Sequence, residues 1–282
     1  MGKNQDDGRV SGNAENGGAT GFPPVFPDIQ DWPILRINQK RDQLIRDVIA
    51  ETVASYPVDD RLTARVADAY YHERIRMKEN PWKVDRKDEP AFWRRIKSRL
   101  QVSAKGGQTN PEVAATLLEE IISRYTHEIA GDFKPGTYRF ARRAINVGFT
   151  RLFSAASEGW FRGMLRSKRH LQEKMKLVGH LEEIRNLTKK GTVILVPTHF
   201  SNLDSIVIGW AIENLGLPAY TYGAGINLFG HPLLSHFMSR LGAFRVDRRK
   251  KNELYIRTLK LYTEFILREG AHMLFFPGGT RS

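Results

Sequence analysis

Four short apolar runs in the last third of the chain constrain its fold more than any other feature. They cover residues 193–196, 219–222, 243–246 and 272–276. The first three are each followed by a segment of helical length, at residues 203–215, 232–241 and 252–268. Strands separated by helices in this way run parallel, because a parallel pair needs a crossover that a hairpin cannot supply. The expected fold class is therefore α/β, a mainly parallel sheet flanked by helices. The final residues fall in the turn after the fourth run, where a βα unit enters its next helix. A chain truncated at its C-terminus is expected on that ground.

Upstream of the alternation the pattern changes twice. Residues 31–131 read as helical: Leu44, Ile45, Val48, Ile49 and Val53 form one apolar stripe, and Leu62, Val66, Ala69 and Tyr70 another. Asp88, Glu89 and Pro90 open a third helix, and Asn110 with Pro111 a fourth. The charged residues of this region read as solvated helix faces. Residues 132–190 hold 14 Lys plus Arg against 5 Asp plus Glu, interleaved with aromatics such as Tyr138, Phe140, Trp160 and Phe161. They read as basic amphipathic helices and a candidate contact with an anionic membrane surface. Residues 1–30 begin with a Gly-, Asn- and Asp-rich segment too polar to offset its ordering entropy, so a disordered tail is expected there. The α/β unit occupies 191–282.

Composition narrows the chemistry. With 282 residues and no Cys, disulfides, thiolate metal sites and Cys nucleophiles are excluded. A formal net charge of +13 favours an anionic partner. No recognisable nucleic-acid-binding module is present, so no nucleic acid is expected. No apolar run approaches the roughly 18 residues of a spanning helix.

The first strand–helix turn carries the most chemistry. Its strand, apolar and β-branched, reads as buried on both faces. It ends at Pro197, and the turn beyond holds His199 and Asp204. Turns at the carboxyl ends of parallel strands are where open α/β sheets place their sites. A carboxylate five residues after a His can hold one ring nitrogen and leave the other free as a base. The spacing alone is weak. His127 and Asp132 repeat it without a preceding strand, and that copy reads as accidental. Two later turns add anion-binding groups. One reads Gly242-Ala-Phe-Arg-Val-Asp-Arg248, the other Phe276-Pro-Gly-Gly-Thr-Arg-Ser282. Arginine recognises phosphate bidentately, and glycine lets an anion approach backbone N–H groups. No nucleophile elbow or Walker loop is present. A base without a protein nucleophile points to direct transfer onto an acceptor hydroxyl.

In these three motifs the chain resembles the glycerolipid acyltransferases, which include glycerol-3-phosphate and lysophosphatidate acyltransferases. The first motif of that family is His-x4-Asp, matched by His199 and Asp204. The second, Gly-x-x-Phe-Ile-x-Arg or a variant, is similar to residues 242–248. The third, Phe-Pro-Glu-Gly-Thr-Arg-Ser, is similar to residues 276–282, with Gly278 in place of Glu. The run from Ala224 to Leu228 with Leu241 to Phe244 is closest to the glycerol-3-phosphate branch. The resemblance covers about residues 185–282.

It implies that His199 and Asp204 are catalytic and that Gly242, Arg245, Arg248, Gly279, Thr280 and Arg281 bind substrate, with Arg249 sharing the role. The implied reaction moves a fatty acyl group from acyl-CoA or acyl carrier protein to a hydroxyl of a phosphorylated glycerol acceptor. Neither a metal nor a cofactor beyond that co-substrate is implied. The implied location is the cytoplasmic side of a membrane, held peripherally. Two alternatives stay open: a lysophosphatidate acyltransferase, and a catalytically decayed membrane-binding relative.

Overall fold

The computed structural model describes residues 21–104, 110–144, 176–198, 202–230 and 232–277. The N-terminal helical region holds α1 (Pro33–Gln39), α2 (Arg41–Ala54), α3 (Asp60–Glu79), α4 (Glu89–Ala104) and α5 (Pro111–Ile129). Local signals set their starts. Asp59 accepts the N–H of Arg61 ahead of α3, and Asn110 accepts that of Glu112 ahead of α5. Pro111 takes the first position of α5, where a missing N–H costs nothing. The inward stripes are buried as their spacing predicts, with Leu44, Ile45 and Val48 on α2 and Leu62, Val66 and Ala69 on α3.

The α/β part alternates α6 (Leu181–Lys190), β1 (Ile194–Leu195), α7 (Asn202–Asn214), β2 (Thr221–Gly225), α8 (Pro232–Arg240), β3 (Ala243–Val246), α9 (Glu253–Arg268) and β4 (Met273–Leu274). The four strands form one parallel sheet in the order β1-β4-β2-β3. Leu195, Leu274, Tyr222 and Ala243 lie in register across it. The α/β class with a parallel sheet between helices is as the alternation predicts.

Two strands differ from expectation. β1 is not buried on both faces: Ile194 is 49% exposed and Val196 57%, because this strand is an edge of the sheet. β2 runs on through Gly223, Ala224 and Gly225, beyond the 219–222 run read from the sequence. A side chain at Gly223 would come within 3.2 Å of both Phe244 and Val246, so this glycine makes room for the neighbouring strand instead of breaking its own.

Alternation along the strands sends Phe244 and Met273 to one face and Leu274, Tyr222 and Arg245 to the other. Phe244 and Met273 share a single core with Tyr255, Tyr262 and Ile266 of α9, Leu44 and Val48 of α2, and Leu117 and Ile121 of α5. The helical region thus forms one layer of the sandwich. On the opposite face Tyr220 and Leu274 pack with Val25, Ile212 and Leu215. Val25 lies in the expected tail, and residues 21–30 depart from that expectation. Phe22 and Val25 donate backbone hydrogen bonds to Asn214 and Gly216, at 2.8 and 2.7 Å, and Arg185 donates to the Pro23 carbonyl at 2.9 Å. Large apolar residues at 22, 25 and 26 supply the burial that residues 1–20 lack in composition.

The charged residues of the helical region are not all solvated faces. Glu73, Arg76 and Glu89 are 1%, 5% and 4% exposed. Arg76 contacts Glu73 at 2.7 Å, Asp85 at 3.2 Å and Glu89 at 2.5 Å. Lys250, from the loop after β3, reaches Glu128 at 2.7 Å and Glu89 at 3.5 Å. Asn252 donates to Glu73 and to the Tyr125 hydroxyl, which itself donates to Glu73 at 3.0 Å. Burial alone would lower the Arg76 and Lys250 pKa values, but the surrounding carboxylates raise both.

One buried histidine makes stability pH-dependent. The His272 side chain is enclosed, its Nδ1 accepts the Val193 N–H at 3.1 Å, and its ring lies against Tyr220. Burial pushes its pKa down to about 4 from 6.5. Below pH 6.5 the unfolded chain therefore binds a proton that the folded chain refuses. Stability is complete above that pH and falls by up to about 3 kcal/mol as pH drops towards 4. Urea unfolding at pH 7.5 and pH 5 is expected to show a larger loss in wild type than in His272→Gln, which retains an acceptor for Val193. Equal losses would place the titration elsewhere.

Candidate active site

All four strands are parallel, so their carboxyl ends meet at one edge of the sheet. The turn after β1 neighbours the turn after β4, and β2 separates β4 from β3. With strands about 4.8 Å apart, the turns after β1 and β3 are separated by about 14 Å.

Asp204 lies in the first turn of α7 and is half-buried. A carboxylate there is favoured by the positive end of the helix dipole. His199 lies outside the described residues, as do Gly278, Gly279, Thr280 and Arg281. The chain reaches Thr198 at the end of β1 and Pro277 at the end of β4, on adjacent strands. The second His–Asp spacing does not form a pair: His127 Nδ1 contacts the Ser123 carbonyl at 2.8 Å, and Asp132 pairs with Lys134 at 2.9 Å.

β3 and the turn after it separate three arginines that look equivalent in sequence. Arg245 points to the face away from α5, its guanidinium 4.8 Å from the Phe229 ring centroid and 3.3 Å from Ser239 Oγ. Burial lowers its pKa, and Glu128 offsets part of that. Among the described residues it makes no ion pair. Arg248 is exposed and makes no hydrogen bond or ion pair among the described residues. Arg249 is the opposite case. Its Nε and Nη2 hold Asp247 at 2.9 and 2.7 Å, its Nη1 reaches the Asn80 carbonyl at 2.8 Å, and Nη1 and Nη2 both contact Asp85. All five guanidinium donors are occupied. Arg249 therefore has no donor left for a substrate, which removes it from the binding set.

Gly242 is also reassigned. It sits at the entry to β3, the far end of the strand from Arg248, with φ at +102°. A Cβ there would lie 2.8 Å from the Tyr220 carbonyl oxygen and 2.8 Å from Ile34 Cδ1. The glycine lets β3 start against β2 and α1, a packing role at a distance from the turns.

Two residues anchor this turn, Asp247 and Asn252, and the sequence pattern missed the first. Asp247 is 1% exposed, and its N–H donates to the Tyr255 hydroxyl at 2.7 Å. Asn252 caps α9 by accepting the Tyr255 N–H. The cap was legible as an Asn before an apolar-periodic segment. The burial of Asp247 was not, because it depends on Arg249 and Asp85.

Among the described residues no group of side chains could hold a metal ion, and no helix is long and apolar enough to cross a membrane.

Comparison with known proteins places the C-terminal part of the chain. Residues 179–282 match the family model described as Acyltransferase. A glycerol-3-phosphate acyltransferase of Alteromonas mediterranea is 30% identical over 160 residues, 56% of this chain and 17% of the relative. Those of Pseudomonas paraeruginosa and Pseudoalteromonas atlantica are 26% identical over 165 and 161 residues, again 17% of each relative. The chain thus covers only 17% of the length of these curated relatives. The matched region contains the sheet, Asp204 and all three motif turns, and residues 179–282 of this chain are similar to the acyltransferase family model.

Proposed function

We propose that this chain carries the transfer site of an O-acyltransferase that moves a fatty acyl group from an acyl thioester to a hydroxyl of glycerol 3-phosphate. The observation that carries this reading is the common edge of the sheet. The turn that bears the His–Asp motif and the turn that presents an unengaged Arg248 both emerge there, in a region that matches the acyltransferase family.

In this mechanism His199 takes the proton of the acceptor hydroxyl as that oxygen attacks the thioester carbon. Asp204 orients the ring and stabilises the imidazolium. The tetrahedral intermediate collapses, the carbon–sulfur bond breaks, and the imidazolium returns its proton to the departing thiolate. Arg248 and Arg281 hold the acceptor phosphate, Gly279 allows close backbone approach, Thr280 beside it binds substrate, and Arg245 adds positive charge from one side of the sheet. The donor is acyl-CoA or acyl carrier protein. The protein sits peripherally on the cytoplasmic face of an anionic membrane through residues 132–190. Phe140, 60% exposed and stacked on Phe237 beside exposed Arg139 and Arg143, supports that contact.

The test is an acyl-transfer assay of the intact protein, with glycerol 3-phosphate and lysophosphatidate as competing acceptors. Preferential acylation of glycerol 3-phosphate is expected. Preference for lysophosphatidate would reassign the acceptor, and vesicle binding without transfer would indicate a decayed relative. Arg248→Lys keeps the charge and loses the bidentate fork. It is expected to raise the acceptor KM roughly tenfold and leave the donor KM unchanged. An unchanged acceptor KM would remove Arg248 from the site.

A further inference from the structure

We infer that Arg249 is a positioning residue, which pins the turn after β3 to the loop between α3 and α4 and so aims Arg248 at the acceptor phosphate. The inference rests on the phosphate-binding reading of Arg248 and extends the site into the helical region, where no motif lies.

The two neighbouring arginines are in opposite states. Arg248 is exposed and unengaged among the described residues, whereas the Arg249 side chain is 6% exposed with every donor used. Its partners come from two places in the chain. Asp247 belongs to the turn itself, while Asp85 and the Asn80 carbonyl belong to the connection between α3 and α4. The guanidinium also lies 4.2 Å from the ring centroid of Trp82, on the same connection.

That connection is itself held. Asp85 accepts the Trp82 N–H at 2.8 Å and contacts Arg76 at 3.2 Å. Burial would raise the Asp85 pKa, but the bonds from Arg249 and Trp82 and the charge of Arg76 bring it below its ordinary value. Asp85 therefore stays charged wherever Arg249 needs it. On the other side of Arg248 the chain is fixed again, since Lys250 is buried against Glu128 and Glu89. Arg248 is left as the one side chain between Asp247 and Lys250 directed to solvent, on backbone clamped at both ends. A planar bidentate contact with phosphate is sensitive to such aim, because the rigid guanidinium fork matches the phosphate oxygens in a narrow range of orientations.

The experiment uses the 282-residue chain with Arg249→Lys and Asp85→Asn. Lysine keeps the charge but offers three donors without the fixed plane, and asparagine keeps the shape of Asp85 without its charge. Three quantities are read: amide hydrogen exchange over residues 247–250, the Kd for glycerol 3-phosphate by calorimetry, and the urea midpoint. Both substitutions are expected to speed exchange at Asp247 and Arg249 and to weaken glycerol 3-phosphate at least tenfold. The Kd for acyl-coenzyme A is expected to stay the same, and Asp85→Glu, which restores a carboxylate, to recover part of the loss. A lower urea midpoint with unchanged glycerol 3-phosphate affinity would show a purely structural pin and overturn the inference. So would wild-type exchange rates in both variants. A wild-type chain that binds no glycerol 3-phosphate would overturn the acceptor reading itself and this inference with it, a failure recognisable because no substitution is needed to see it.

Discussion

His199→Ala is expected to lower acyl-transfer turnover by about 10²–10⁴-fold, the range for loss of a positioned general base. That corresponds to roughly 3–5 kcal/mol of barrier. The acceptor hydroxyl is a poor nucleophile at neutral pH, so without a base its proton must leave to water. The urea midpoint should not move, which separates a chemical defect from a folding one. His127→Ala supplies the control. It has the same spacing to an aspartate, yet His127 and Asp132 hold other partners, and its turnover should match wild type. Equal losses in the two variants would refute the assignment of the base.

The largest expected effect on stability belongs to Arg76. Arg76→Met leaves Glu73, Asp85 and Glu89 without the cation all three contact, in a region where solvent cannot replace it. Breaking a buried pair in this way costs about 3–5 kcal/mol, a large part of the 5–15 kcal/mol typical of a whole domain. The comparison is Arg65, which pairs with Glu253 at 2.8 Å but stands in solvent. Arg65→Ala is expected to cost less than about 1 kcal/mol. Arg76→Lys, which keeps the charge, guards against complete unfolding and should fall between the two. Denaturant titration checks the order. An Arg76→Met midpoint within about 1 kcal/mol of wild type would mean that the cluster neutralises itself by taking up protons.

The fold was legible where a pattern is local. Parallel strands follow from the alternation of short apolar runs with helical segments, and the helix starts at Asn110 and Asn252 follow from residue type. What sequence did not disclose depends on distant neighbours. Ile194 and Val196 read as interior until the strand order made β1 an edge. The apolar run ends at Tyr222 in the sequence, and the strand continues through Gly223 because Phe244 lies beside it. The site divides in the same way. The motif turns were legible as motifs, but nothing in Arg245-Val-Asp-Arg-Arg249 says which arginine is engaged. That answer lies in Asp85 and Asn80, more than 160 residues away in sequence.

The core shared by α2, α5, α9 and the sheet sets how this protein can be divided. The family match begins at residue 179, but the folding unit does not. Cutting the chain there would strip the cover from Phe244, Tyr262, Ile266 and Met273 and leave Lys250 without Glu128 and Glu89. Such a piece would carry all three sequence motifs and still expose a greasy sheet face with an orphaned cation beneath it. The stretch that matches the family model and the stretch that shares one core are, in this protein, different lengths of chain.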